Sequence, residues 1–136
     1  GKQNIKIIYK DTYNILNLSC CAIVTSGTAT LETALFKVPQ VVCYKSSWIS
    51  YQIAKKLIKV KYISLVNLIL DKEAVKELIQ NDLTPKKIKL ELDLILNSPK
   101  RKSILDCYNR LEDKCGGIGA SKITANEMFK TIQTRS

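Results

Sequence analysis

Ser26, Gly27, Thr28 and Thr30, with Glu32 two positions on, are the residues of this chain whose types and spacing suit ligand chemistry. They stand in "SGTATLE", directly after the apolar run "AIVT". A glycine turn that opens a helix leaves backbone N–H groups unpaired, aims the positive end of the helix dipole at the turn, and lets an anion come close to the main chain. Thr28 and Thr30 add hydroxyl donors, and a phosphate or diphosphate is the natural ligand. Ser-Gly-Thr is also good turn and N-cap chemistry, so the turn alone leaves a purely local role open. Glu32 adds to the ligand reading. A capping box places Glu three residues after a Ser or Thr cap, and here that earlier position is Ala29. Leu31, Ala34 and Leu35 form the apolar stripe of the helix, while Thr28 and Glu32 lie four apart on its flank. A carboxylate there is placed to accept hydrogen bonds from a ribose; the alternative is a solvated helix glutamate. The turn is no P-loop, because Gly27 is not followed by Gly-Lys-Ser/Thr, and the acid follows too soon for a dinucleotide fingerprint.

The turn needs a strand before it and a helix after it. "CAIVT" and "QVVCY" read as strands, and "TATLETALFK" between them reads as a helix. Upstream, "IKIIY" (Ile5 to Tyr9) is expected as another buried strand, followed by a short helix capped by Asp11 or Thr12. Short connections between alternating elements imply a parallel β-α-β-α-β arrangement. From Ser46 the pattern turns helical through Ile49, Ile53 and Leu57. "KYISLVNLIL" reads as a short strand or extended segment followed by a loop, and a helix is expected from about Glu73 to Gln80. Thr84-Pro85 and Ser98-Pro99 then mark two helix starts, glycines from Gly116 end the second, and a last amphipathic helix covers 122–133. The expected organisation is a partial Rossmann-like region over 1–70 and a helical C-terminal part of the same domain over 71–136. Such sheets normally hold five or six strands, so the chain reads as the later part of a nucleotide-binding domain, with an exposed sheet edge.

Composition narrows the classes. With 136 residues, 46% apolar and 25% charged, the chain is long enough for a real core and is globular. No apolar stretch reaches the ~20 residues of a membrane-spanning helix, and the chain reads as soluble and unexported. Five cysteines without C-x-x-C spacing fit reduced, mostly buried thiols. A net charge of +10 favours acidic partners: nucleic acid, nucleotide, phosphorylated small molecule or an anionic membrane surface. The absence of histidine removes the commonest general base and any histidine metal site. Trp48, Ile49 and Tyr51 beside Lys55, Lys56, Lys59 and Lys61 could form an interfacial helix, although such a stripe is more often core. A basic nucleic-acid-binding domain is a rival reading, without an RNP, KH or Cys/His finger motif to support it. A non-catalytic dimerisation piece is another.

Taken together, "IVTSGTATLETALFKVPQVVCYK", "AKKLIKVKYISLVNLI", "VKELIQNDLTP" and "GGIGAS" resemble the C-terminal half of the lipid-A-disaccharide synthases, glycosyltransferases of GT-B architecture. The resemblance runs nearly end to end. It implies a hexosyltransferase that condenses UDP-2,3-diacylglucosamine with 2,3-diacylglucosamine 1-phosphate, giving the β-1,6-linked disaccharide and UDP, without metal or other cofactor. It implies that this half binds the UDP-sugar donor while an N-terminal domain supplies much of the acceptor site. By the same resemblance, Ser26, Gly27, Thr28 and Thr30 face the diphosphate, Glu32 binds the ribose, and Asn67 in "SLVNL" lies near the catalytic centre. Val66 stands where the family often has proline; Gln80 and Tyr44-Lys45 fall in matching blocks. The family's Gly-Ser-Arg phosphate motif is not in this sequence, so the chain is expected to be a fragment, inactive by itself. A homodimer that exchanges C-terminal helices, and a cytoplasmic place peripheral to the inner membrane for the full-length protein, are further implications.

Overall fold

A parallel sheet of three strands carries the fold, with the central strand buried on both faces. The computed structural model describes residues 4–25, 27–47, 61–97 and 99–116. Along them run α1 (Thr12–Leu18), β1 (Ala22–Thr25), α2 (Thr28–Leu35), β2 (Gln40–Tyr44), α3 (Leu65–Leu70), β3 (Lys76–Ile79), a 3-10 turn (Gln80–Asp82), α4 (Pro85–Leu96) and α5 (Lys100–Lys114). The strand order is β1-β2-β3, with Thr25 opposite Cys43 and Tyr44 opposite Ile79. This is the expected α/β class, a partial Rossmann-like sheet followed by helices. β2 reads as an unbroken apolar run because it is covered on both faces. Val41, Val42, Val66, Leu78, Ile95, Ile104, Tyr108 and Leu111 are each at most 2% exposed and form the centre of the core. Each large apolar side chain removed from water contributes about 1.5–3 kcal/mol.

Three expected elements are corrected. Residues 5–9 form no strand: Ile5, Ile7 and Tyr9 stand 73–85% exposed, and a strand exists only through a neighbour that completes its ladder. Residues 65–70, expected as an extended segment and loop, are the helix α3. The Ser64 hydroxyl accepts from the Asn67 N–H at its start, and Asp71, with φ 50°, closes its end. The stretch 73–80, expected as a helix from its Glu, Ala, Lys and Leu content, contains β3 instead. Pairing with β2 buries Val75 and Leu78, and that tertiary gain overrides weak helix propensity. The C-terminal part is therefore not all helix. The helix expected from Ser46 onward, the interfacial segment around Trp48, and the last helix over 122–133 with its dimer exchange lie outside the described residues.

The two proline-marked starts differ in detail. Thr84 caps α4 by accepting from the Lys87 N–H at 3.2 Å, with Pro85 as the first helical residue. At α5 the capping position is Pro99 itself, Ser98 being outside the described residues, and Gly116 takes φ 103° after the helix, as its glycine end suggested.

α5 straps the amino ends of the strands. Arg101 donates to the Cys20 carbonyl at 2.7 Å, just before β1, and Tyr108 donates to the Val38 carbonyl at 3.0 Å, just before β2. Lys37, at the end of α2 with φ 61°, pairs with Glu112 at 2.7 Å and donates to Asn109 at 2.9 Å. The helices thereby tie down the end of the sheet away from the Gly27 turn. β1 is an edge strand among the described residues, and Ile23 on it is 53% exposed.

Candidate functional site

The turn after β1 lies at the carboxyl end of the sheet, where open α/β folds bind ligands. Ser26 is outside the described residues. Gly27 caps α2 with φ 130° and ψ −161°, a backbone conformation that side chains with a Cβ rarely adopt. Among the described residues nothing lies within 4 Å of where its Cβ would be. Thr28 and Ala29 are exposed in the first turn, where helix N–H groups have no partner within the helix. Thr30 is different: fully buried, its hydroxyl donates to the Gly27 carbonyl at 2.8 Å and so braces the turn from below. The Gln40 amide holds the Thr30 carbonyl at 2.9 Å and touches the Tyr108 hydroxyl at 3.2 Å, linking this brace to α5.

Glu32 is 4% exposed, and its Oε1 makes no hydrogen bond among the described residues. That finding overturns the solvated-helix alternative. Burial pushes the Glu32 carboxyl above the usual glutamate range. Tyr13, from α1, lies close enough that its phenol is raised first by burial and second by the Glu32 charge. The Tyr13 ring stacks on Phe36 with centroids 4.9 Å apart. A buried carboxyl oxygen without a partner is costly, and this one stands on the helix that the Gly27 turn opens.

Asn67 is fully buried on α3, and its carboxamide is saturated. Oδ1 accepts from the N–H groups of Ala74 at 2.8 Å and Val75 at 3.0 Å; Nδ2 donates to the Val75 carbonyl at 2.8 Å and to Glu77 at 3.1 Å. The Glu77 carboxylate also accepts from the N–H groups of Ile63 and Ser64. In this arrangement Asn67 holds the α3–β3 connection, and the structure does not bring its side chain together with the Gly27 turn and Glu32 as free ligand groups. α3 does pack against α2, the helix that carries Glu32.

A cavity of about 290 Å³, lined by Lys72, Pro99, Lys102, Ser103, Asp106, Cys107 and Arg110, sits along α5 at the strapped end. It is separate from the turn. Among the described residues no group of three metal-ligating side chains converges.

The sequence profile of lipid-A-disaccharide synthetase matches residues 2–127. This chain belongs to the lipid-A-disaccharide synthetase family. Among curated relatives, the lipid-A-disaccharide synthase of Syntrophus aciditrophicus is 42% identical over 122 residues, covering 89% of this chain and 32% of that protein. The enzyme so named from Hahella chejuensis is 42% identical over 111 residues, covering 82% of this chain and 28% of its own length. That from Anaeromyxobacter dehalogenans is 32% identical over 130 residues, covering 95% and 34% respectively. The chain thus spans about a third of the length of the curated relatives it matches. For this lipid-A-disaccharide synthetase family member, the sequence reading singled out the turn and Glu32 but missed the tasks of Glu77 and Tyr13. Glu77 looked like one more charged residue of a helix. Nothing in the spacing of Tyr13, nineteen positions before Glu32 in the sequence, joins the two.

Proposed function

We propose that this chain binds the UDP-activated sugar donor of a hexosyltransferase that makes lipid A disaccharide, using the Gly27 turn and Glu32. The observation that carries the proposal is the buried Glu32 carboxyl with an unpartnered oxygen, on the helix whose open N-terminus suits a diphosphate. The ribose hydroxyls donate to Glu32, replacing the missing partners and favouring its ionised form. The N–H groups of the first turn of α2 and the Thr28 hydroxyl meet the diphosphate, and Gly27 allows its close approach. When the 6-hydroxyl of 2,3-diacylglucosamine 1-phosphate attacks the anomeric carbon of UDP-2,3-diacylglucosamine, the new O6–C1 bond forms as the C1–O bond to UDP breaks, the hydroxyl proton passes to a base of the complete enzyme, and negative charge grows on the departing UDP. The positive end of α2 lies where that charge develops, which lowers the barrier to leaving. The acylated substrates and the net charge of +10 favour a peripheral seat for the complete enzyme on an anionic, cytoplasmic membrane surface; among the described residues no helix is long and apolar enough to cross a membrane.

The experiment is a UDP titration of isotope-labelled protein, followed by backbone amide shifts, with Glu32→Ala alongside. Saturable shifts centred on residues 26–32, weakened by the substitution, are expected. A folded sample in which UDP moves no amide of the turn overturns the donor-site reading.

A further inference from the structure

The sheet reaches past its backbone ladder at one place. The last rung between β2 and β3 is Tyr44 opposite Ile79. The next link is made by a side chain: Gln80 Oε1 accepts from the Ser46 N–H at 2.8 Å, and Gln80 Nε2 donates to the Ser46 carbonyl at 3.1 Å. The carboxamide thus copies the two-bond exchange of a sheet rung while the backbone of Gln80 turns away, at φ 54°, into the 3-10 turn. A glutamine is unfavourable in that left-handed region, and such conformations persist where the surroundings over-determine them. The consequence is that residues 45–47 are held beyond the carboxyl edge of the sheet.

Register shows what this extension carries. Thr25 lies opposite Cys43, so Lys45 stands two residues past the last β1–β2 rung, and Gly27 likewise follows the end of β1 by two residues. Adjacent strands are about 4.8 Å apart, so Lys45 and the Gly27 turn leave neighbouring strands at the same end of the sheet. Its side chain is exposed and has no ion pair among the described residues. α2 has no acidic residue in its first turn to hold an ammonium there.

We propose that Lys45 is the cation that meets the diphosphate of the bound nucleotide, and that Gln80 is the positioning residue that holds it there through Ser46. The proposal rests on the nucleoside diphosphate reading given above and adds a second source of positive charge to the helix terminus. An ammonium recognises phosphate oxygens but gains nothing from uridine, whereas the Glu32 contact to the ribose serves both ligands.

Calorimetric titrations of the 136-residue chain with UDP and with uridine separate these contributions. Lys45→Met is expected to weaken UDP about tenfold and to leave uridine unchanged, with Lys45→Arg recovering most of the loss. Gln80→Met, matched in length but without hydrogen bonds, is expected to weaken UDP selectively and to speed hydrogen exchange at the Ser46 amide. Gln80→Glu keeps the acceptor for the Ser46 N–H but sets an oxygen against its carbonyl, and should fall between. If Lys45→Met weakens UDP and uridine alike, or neither, while Glu32→Ala weakens both, the Lys45 proposal is overturned and the donor-site reading stands. If the folded wild-type chain binds neither ligand, the donor-site reading fails and this proposal with it.

Discussion

Replacing Glu32 with methionine should make the protein more stable and less able to bind nucleotide. Methionine matches glutamate in length and in helix propensity, so the backbone of α2 has no reason to change. The substitution removes a carboxyl that is 4% exposed and whose Oε1 has no hydrogen-bond partner among the described residues. An unsatisfied buried polar group costs about 1–3 kcal/mol, and this is the gain expected in urea denaturation at neutral pH. For a chain of this size the gain corresponds to a rise in Tm of roughly 3–12 °C. The opposite change is expected in binding. A carboxylate that accepts from ribose hydroxyls contributes about 1.5–3 kcal/mol, so UDP and uridine should each lose about 10- to 150-fold in affinity. Calorimetry with either ligand reads the second effect and denaturation the first, on the same samples. A variant that is destabilised by 1 kcal/mol or more and that binds UDP as the wild type does would refute the reasoning, because Glu32 would then be a packing residue with a hidden partner.

The pH dependence of stability should carry the same signature. Burial raises the Glu32 pKa in the folded chain, so the folded state keeps the proton to higher pH than the unfolded state does. The Glu32 contribution is therefore most favourable below the unfolded value of about 4.3 and declines as pH rises toward the raised folded value; Glu32→Gln, compared by urea midpoints across that range, should remove the decline. Asn67→Ala strips the partners from the Ala74 and Val75 N–H groups and should cost roughly 3–5 kcal/mol by the same method. Asn67→Asp keeps those two acceptor contacts but faces Glu77 with a second carboxylate, so its cost should be larger at neutral than at acid pH. Thr84→Ala should lower stability by about 1 kcal/mol through loss of the α4 cap, and Thr84→Ser should restore most of it.

Local chemistry was legible in the sequence wherever neighbouring residues decide the outcome. The β1-turn-α2 unit followed from an apolar run, a glycine and a helical stripe, and the start of α4 followed from Thr84-Pro85. The apolar content of "QVVCY" marked a strand, and the parallel α/β class followed from its alternation with helices. The misreadings lie where a distant partner decides. "EAVKELIQ" has helix-forming content, but β2 offered an unpaired edge and burial for Val75 and Leu78, and pairing across the sheet outweighed local preference. "IKIIY" has strand-forming content, yet among the described residues no strand pairs with it in a ladder, and its side chains stay exposed. The site divides in the same way. Residue types and spacing marked Gly27 and Glu32, because a turn and one helix place both. Only the tertiary structure decided that Glu32 is buried, that Thr30 braces the turn from below, that Asn67 is saturated by the α3–β3 connection, and that the Gln80 side chain bonds the Ser46 backbone beyond the last rung. Those facts depend on contacts between residues far apart in the chain, which periodicity and propensity do not encode.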